Sequence, residues 1–154
     1  MGLDMYLNKK TYVENWEHTP REKEYDITIK RKVGHHIKTE RITEICEQIM
    51  YWRKANHIHK FFIDNCADGN DDCQEVYVEL DTMFDLIKRL ESVVEGKDDN
   101  LSHELLPTSA GFFFGSTEYD KYYYEECERT LTELQQLIDG DLYKGGDLYY
   151  RASW

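Results

Sequence analysis

The chain opens on an alternation. Leu3, Met5 and Leu7 alternate with Asp4, Tyr6 and Asn8, which predicts a half-buried strand over residues 3 to 13. A polar stretch around His18, Thr19 and Pro20 follows. The period of two then returns, with Tyr25, Ile27, Ile29 and Val33 set against Asp26, Thr28, Lys30 and Lys32. This predicts a second strand and a hairpin with a long loop. Next the spacing changes. Ile42, Ile45, Ile49, Trp52, Ala55, Ile58 or His59, and Phe62 recur every three or four residues, which predicts a long helix capped by Thr39 and ending near Asn65.

Residues 66–72 read as a loop, and Val76, Val78 and Leu80 as a short strand. Asp81 is placed to cap a helix carrying Met83, Ile87, Leu90 and Val94 on one face and stopped by Gly96. A polar loop with Pro107 fills residues 97–110, and Phe112 to Phe114 predicts a short buried strand. Thr117 with Asp120 fits a capping box. It precedes a helix whose stripe is Tyr119, Tyr123, Cys127, Leu131, Leu134 and Ile138 and whose end is Gly140. Leu148 to Trp154 predicts a last strand. Together these elements imply an α+β fold: a single domain over residues 1–154, with a small, mainly antiparallel sheet packed with three helices.

Composition narrows the class. At 154 residues and 40% hydrophobic content the chain is long enough for one real core. No apolar run approaches the length of a membrane span, and MGLDMYLNKK lacks a signal-peptide core. Cys46, Cys66, Cys73 and Cys127 lie far apart, so the expectation is four reduced thiols and a cytoplasmic protein. The net charge of −12 disfavours duplex nucleic acid, which calls for a basic footprint. The charge is uneven: Asp64 to Asp81 holds seven acids and no base, whereas Arg21 to Arg41 holds seven bases and four acids. An acidic face of this kind meets a basic protein, mimics nucleic acid, or is simply solvated.

Two stretches carry candidate chemistry. Residues 111–124 read GFFFGSTEYDKYYY, half of them aromatic. Ser116, Thr117, Glu118, Tyr119, Asp120 and Tyr122 cluster at a predicted helix start, where backbone N–H groups attract anions and phenol rings offer stacking faces. Tyr119 and Tyr123 fall on the core stripe, so Tyr122 and Tyr124 are the stronger ligand candidates. The second stretch is the face Trp52, Arg53, Asn56, His59 and Lys60, whose cations suit an anion and whose Asn suits a base or amide edge. The two matter together only if they face each other.

No metal site is expected. His57 and His59 diverge on a helix, Cys66 and Cys73 lack zinc-knuckle spacing, and the Asp68–Glu79 stretch lacks the glycine of a calcium loop. No catalytic residue is assigned either: Cys66, Cys73 and Ser116, with His59 or His103 as base, form no local signature. No cofactor is implied.

The start MGLDMYL, the segments YWRKANHIHKFF (51–62) and LPTSAGFFFGSTEYD (106–120), and the ending YYRASW resemble a group of small phage and prophage-associated bacterial proteins of unassigned function. The matches run from the first residue to the last. The resemblance implies a phage accessory role, of which countering a host defence system is a common one.

The expected function is therefore a phage-type, non-enzymatic binding protein holding a small, nucleotide-like ligand. The alternatives are an acidic inhibitor or nucleic-acid mimic that blocks a basic host protein, such as a defence nuclease, and a small hydrolase or phosphodiesterase. Exposed aromatics also admit a homodimer.

Overall fold

The structure, a computed structural model, describes residues 2–30, 32–34 and 36–154. Its sheet has four strands, β1 (Asp4–Tyr12), β2 (Glu44–Arg53), β3 (Val76–Val78) and β4 (Asp147–Ser153), in the order β2-β1-β4-β3 and antiparallel throughout. Four helices accompany it: α1 (Asn56–Cys66), α2 (Leu80–Gly96), α3 (Asp99–Leu105) and α4 (Lys121–Asp139).

The strand register explains the layering. Met5 lies opposite Trp52 and Ala152, and Leu7 opposite Met50 and Tyr150, and all of these are buried. Val76 and Val78 continue the same face opposite Tyr150 and Leu148. Against it pack Ile58 and Phe62 of α1, Met83, Leu86, Leu90 and Val93 of α2, and Cys127 and Leu134 of α4. Burial of each such side chain contributes about 1.5–3 kcal/mol. Alternate residues point the other way, and that sheet face carries Tyr51 and Tyr77, which are exposed, and Tyr6 and Tyr149, which are half-buried.

The predicted helix over residues 39–65 is a strand followed by a shorter helix. The cause is a bulge: Leu7 pairs with Met50 but Asn8 pairs with Gln48, so Ile49 is an extra residue in β2. The bulge flips the inward parity from Trp52 and Met50 to Glu47 and Ile45, opposite Lys9 and Thr11. A bulged strand thereby imitates helical spacing. Thr39 opens only a 3-10 turn, Thr39–Arg41.

The strand predicted over residues 25–33 does not form. Tyr25, Ile29 and Val33 are exposed, and no described residue from Glu14 to Ile49 is buried. Alternation alone cannot order a strand that finds no ladder partner.

Two further expectations shift. Residues 97–110 contain α3, whose N-cap Asp98 accepts a hydrogen bond from the Leu101 N–H at 2.9 Å. Residues 112–114 form a turn, with Phe112 92% exposed and only Phe114 buried. Helix α2 begins one residue before Asp81, with Glu79 at its N-cap.

Candidate functional site

β2 ends at Arg53, and α1 begins at Asn56. Lys54 makes the corner in the left-handed region, at φ 59°. Its N–H donates to the Leu3 carbonyl at 2.8 Å, which anchors the corner to the residue before β1. Gly115 sits across from it at φ 88°, and a Cβ there would stand 3.2 Å from the Lys54 Cβ. This is one place where glycine is needed, both for its backbone and for the close approach.

Asn56 ties the corner to the aromatic turn. Its Nδ2 donates to the carbonyls of Phe114 (3.0 Å) and Ser116 (2.8 Å), and its Oδ1 accepts from the Ser109 N–H at 3.0 Å. The two candidate stretches therefore do face each other, joined by a buried amide whose polar atoms are all engaged. Between them lies a cleft of about 290 Å³. Arg53 and Lys54 form one wall, Glu118, Asp120, Tyr122 and Glu126 another, and His57 and Tyr123 lie deeper.

The walls differ in how far they are committed. Asp120 caps α4 by accepting from the Tyr123 N–H at 3.1 Å, so the cap is Asp120 and not Thr117. The carbonyl of Thr117 accepts from the Thr108 hydroxyl, and the Ser116 hydroxyl accepts from the Glu118 N–H. Glu126 is held by Arg129. Among the described residues the side chains of Arg53, Lys54, Glu118 and Tyr122 have no hydrogen-bond or ion-pair partner, and Tyr122 is 77% exposed.

Several expected site residues belong to the scaffold instead. Trp52 is fully buried and donates through Nε1 to the Thr130 hydroxyl at 2.9 Å, so it cannot stack on a ligand. His59 is buried: its Nε2 meets Asp71 Oδ2 at 2.9 Å and its Nδ1 meets the Tyr150 hydroxyl at 2.7 Å. Lys60 pairs with Asp64 one helical turn on, and it does not line the cleft. Tyr119 is half-buried and bonds His103 through its hydroxyl at 3.0 Å. Lys54, His57, Thr108 and Glu126 are among the cleft residues that sequence reasoning missed. A lone lysine carries no pattern, and His57 drew notice only as half of a diverging His pair.

His57 and Cys127 form a buried pair at 3.5 Å, with the imidazole packed on Tyr123 at 4.4 Å between ring centroids. Burial lowers the His57 pKa to about 3 and pushes the Cys127 thiol up to about 12. Both groups are neutral near pH 7, the opposite of the thiolate–imidazolium state that makes a cysteine nucleophilic. Among the described residues no group of three or more His, Cys, Asp or Glu side chains is placed to hold a metal ion. Nor is any described helix long and apolar enough to cross a membrane. In comparisons with known proteins, no family model matches the chain, and neither the curated proteins nor the solved structures give a match.

Proposed function

We propose that this chain is a non-enzymatic binding protein that holds a small, nucleotide-like ligand in the cleft between the Arg53–Asn56 corner and the Gly115–Glu126 segment. One observation carries the reading: the uncommitted side chains of the cleft are two cations, one carboxylate and one exposed phenol, all set on a rigid frame. A phosphate or carboxylate of the ligand takes Arg53 and Lys54, a flat ring stacks on Tyr122, and Glu118 accepts from a ring amino or hydroxyl group. The volume suits a ligand no larger than a mononucleotide. Asn56 and Asp120 orient the walls without touching the ligand. The neutral His57–Cys127 pair supports binding over hydrolysis. The resemblance to phage proteins adds a context, sequestration of a host defence signal.

Native mass spectrometry of protein taken directly from cells tests this. A retained small molecule is expected, lost in Arg53→Ala and Tyr122→Ala with the melting temperature unchanged. Protein that carries nothing, and whose melting temperature moves with no member of a nucleotide panel, refutes the reading.

A second reading rests on the acidic side of the molecule. Asp68 and Glu79 line a groove at the α1–α2 junction, and Asp72 and Asp81 are exposed close by in the chain. Such a surface would occupy a basic site on a host protein, and the complex would weaken steeply with salt. A salt-insensitive complex refutes it.

A further inference from the structure

Helix α1 begins without a cap. Its N-cap residue is Ala55, whose methyl group accepts nothing, and its first turn holds no acid. The first helical bond runs from the His59 N–H to the Ala55 carbonyl at 3.0 Å, so the N–H groups of Asn56, His57 and Ile58 find no acceptor along the helix. Among the described residues no other backbone or side-chain group accepts from them. Helices α3 and α4 answer the same need with the side chains of Asp98 and Asp120. All three α1 residues are buried, and Ala55, Asn56 and His57 line the cleft.

The His57 imidazole adds an independent sign of a ligand at this place. The side chain is 4% exposed. Its Nε2 is taken by Cys127, and its Nδ1 has no partner among the described residues. No enclosed side-chain nitrogen or oxygen of those residues lacks a partner, so Nδ1 opens onto accessible space, and the space that His57 borders is the cleft. With the Cys127 thiol donating to Nε2, Nδ1 carries the ring proton and is a donor aimed into the cleft. Two cations converge beside it. Arg53 Nη2 and Lys54 Cε lie 3.6 and 3.5 Å from one point, where a Cβ on Gly2 would stand. Neither side chain is paired with a carboxylate among the described residues.

The acids of the cleft stand on the opposite wall and set a limit. Asp120 is engaged by the Tyr123 N–H and Glu126 by Arg129, while Glu118 is uncommitted. An anion confined to the α1 end meets donors and cations. A chain of phosphates would run on toward these three carboxylates. We propose that the start of α1 is a seat for a single phosphate group, bound by the N–H groups of His57 and Ile58 and by His57 Nδ1, with Arg53 and Lys54 supplying the charge. The proposal rests on the cleft reading above and sharpens it: the ligand is a nucleoside monophosphate, and neither a bare nucleoside nor a triphosphate.

Heteronuclear NMR of the full chain, titrated with inorganic phosphate and then with nucleoside mono- and triphosphates, tests the seat. Phosphate shifts the amide signals of His57 and Ile58 and the ring nitrogens of His57, and the shifts saturate. Arg53→Gln and Lys54→Gln each weaken phosphate about tenfold. Ala55→Ser offers a capping hydroxyl to the same amides and weakens phosphate by a similar factor without lowering the melting temperature. At least one nucleoside monophosphate binds more tightly than phosphate, and its triphosphate binds more weakly than it does. A titration that leaves His57 and Ile58 unmoved overturns the proposal, as does unchanged affinity in both Arg53→Gln and Ala55→Ser. A triphosphate that binds more tightly than its monophosphate overturns the limit to one phosphate. A nucleotide that perturbs Tyr122 and Glu118 but not these two amides overturns the seat and leaves the cleft reading standing. Phosphate seated at the two amides while every nucleotide is refused supports the seat and sinks the nucleotide reading.

Discussion

Nε2 of His57 lies 3.5 Å from Sγ of Cys127, with both side chains enclosed beneath the cleft. The pair joins the first turn of α1 to the middle of α4, and burial holds it uncharged.

That enclosure has a pH signature. In the unfolded chain a histidine takes its proton near its ordinary 6.5, whereas folded His57 resists until about 3. Between these values the unfolded state binds the extra proton. The contribution of His57 is therefore complete above about pH 6.5 and is lost as pH falls toward 3. Urea unfolding from pH 7 to pH 4 should show a steeper loss for the wild type than for His57→Gln.

The thiols should separate by reactivity. Cys46 is exposed on β2 and reacts first with an aromatic disulfide reagent at pH 8. Cys66 is half-buried, with its thiol pushed up to about 11 by burial and by Glu79, and reacts slowly. Cys127 stays unmodified until denaturant is added. A fast-reacting Cys127 in the native protein would contradict its burial.

Asn56→Ala should be the costliest polar substitution near the cleft. It strands the Phe114 and Ser116 carbonyls and the Ser109 N–H, for a loss of roughly 3 kcal/mol. Hydrogen exchange should show residues 108–118 losing protection while α4 keeps its own. Equal loss in both segments would mean that the amide holds up the whole fold and not just this turn.

Trp52 and Tyr122, both expected at the ligand from sequence, should now part company. Trp52→Ala empties a core position and should cost about 3–5 kcal/mol in chemical unfolding. Tyr122→Ala removes an exposed ring and should stay within about 0.5 kcal/mol.

Much of the fold was legible because β1, β3, β4, α2 and α4 each bury a single regular stripe. β2 was not, because the extra residue at Ile49 turns a period of two into spacings of three and four. The Tyr25–Val33 alternation misled for the opposite reason: the pattern is regular but no strand pairs with it. The short helix α3 hid in a polar stretch, since a seven-residue helix shows too few turns for a stripe and signals itself only through the Asp98 cap. At the cleft, residue chemistry singles out both the Trp52–Lys60 stretch and the aromatic turn but leaves open whether they face each other, because contact between distant segments is set by tertiary packing. Which side chains remain uncommitted was not legible either, because Trp52, His59 and Lys60 find partners distant or local that spacing cannot reveal.

The two central strands, β1 and β4, come from opposite ends of this sequence, with Asp4 set against Ser153. Their pairing is the most non-local contact in the fold, so its loop-closure entropy falls on the step that completes the sheet. During synthesis the β1–β2 hairpin must wait with one edge bare until residues 147–153 have left the ribosome. Completion of the sheet therefore waits on residues 147–153, and the interval of exposure lengthens with the time taken to translate everything between.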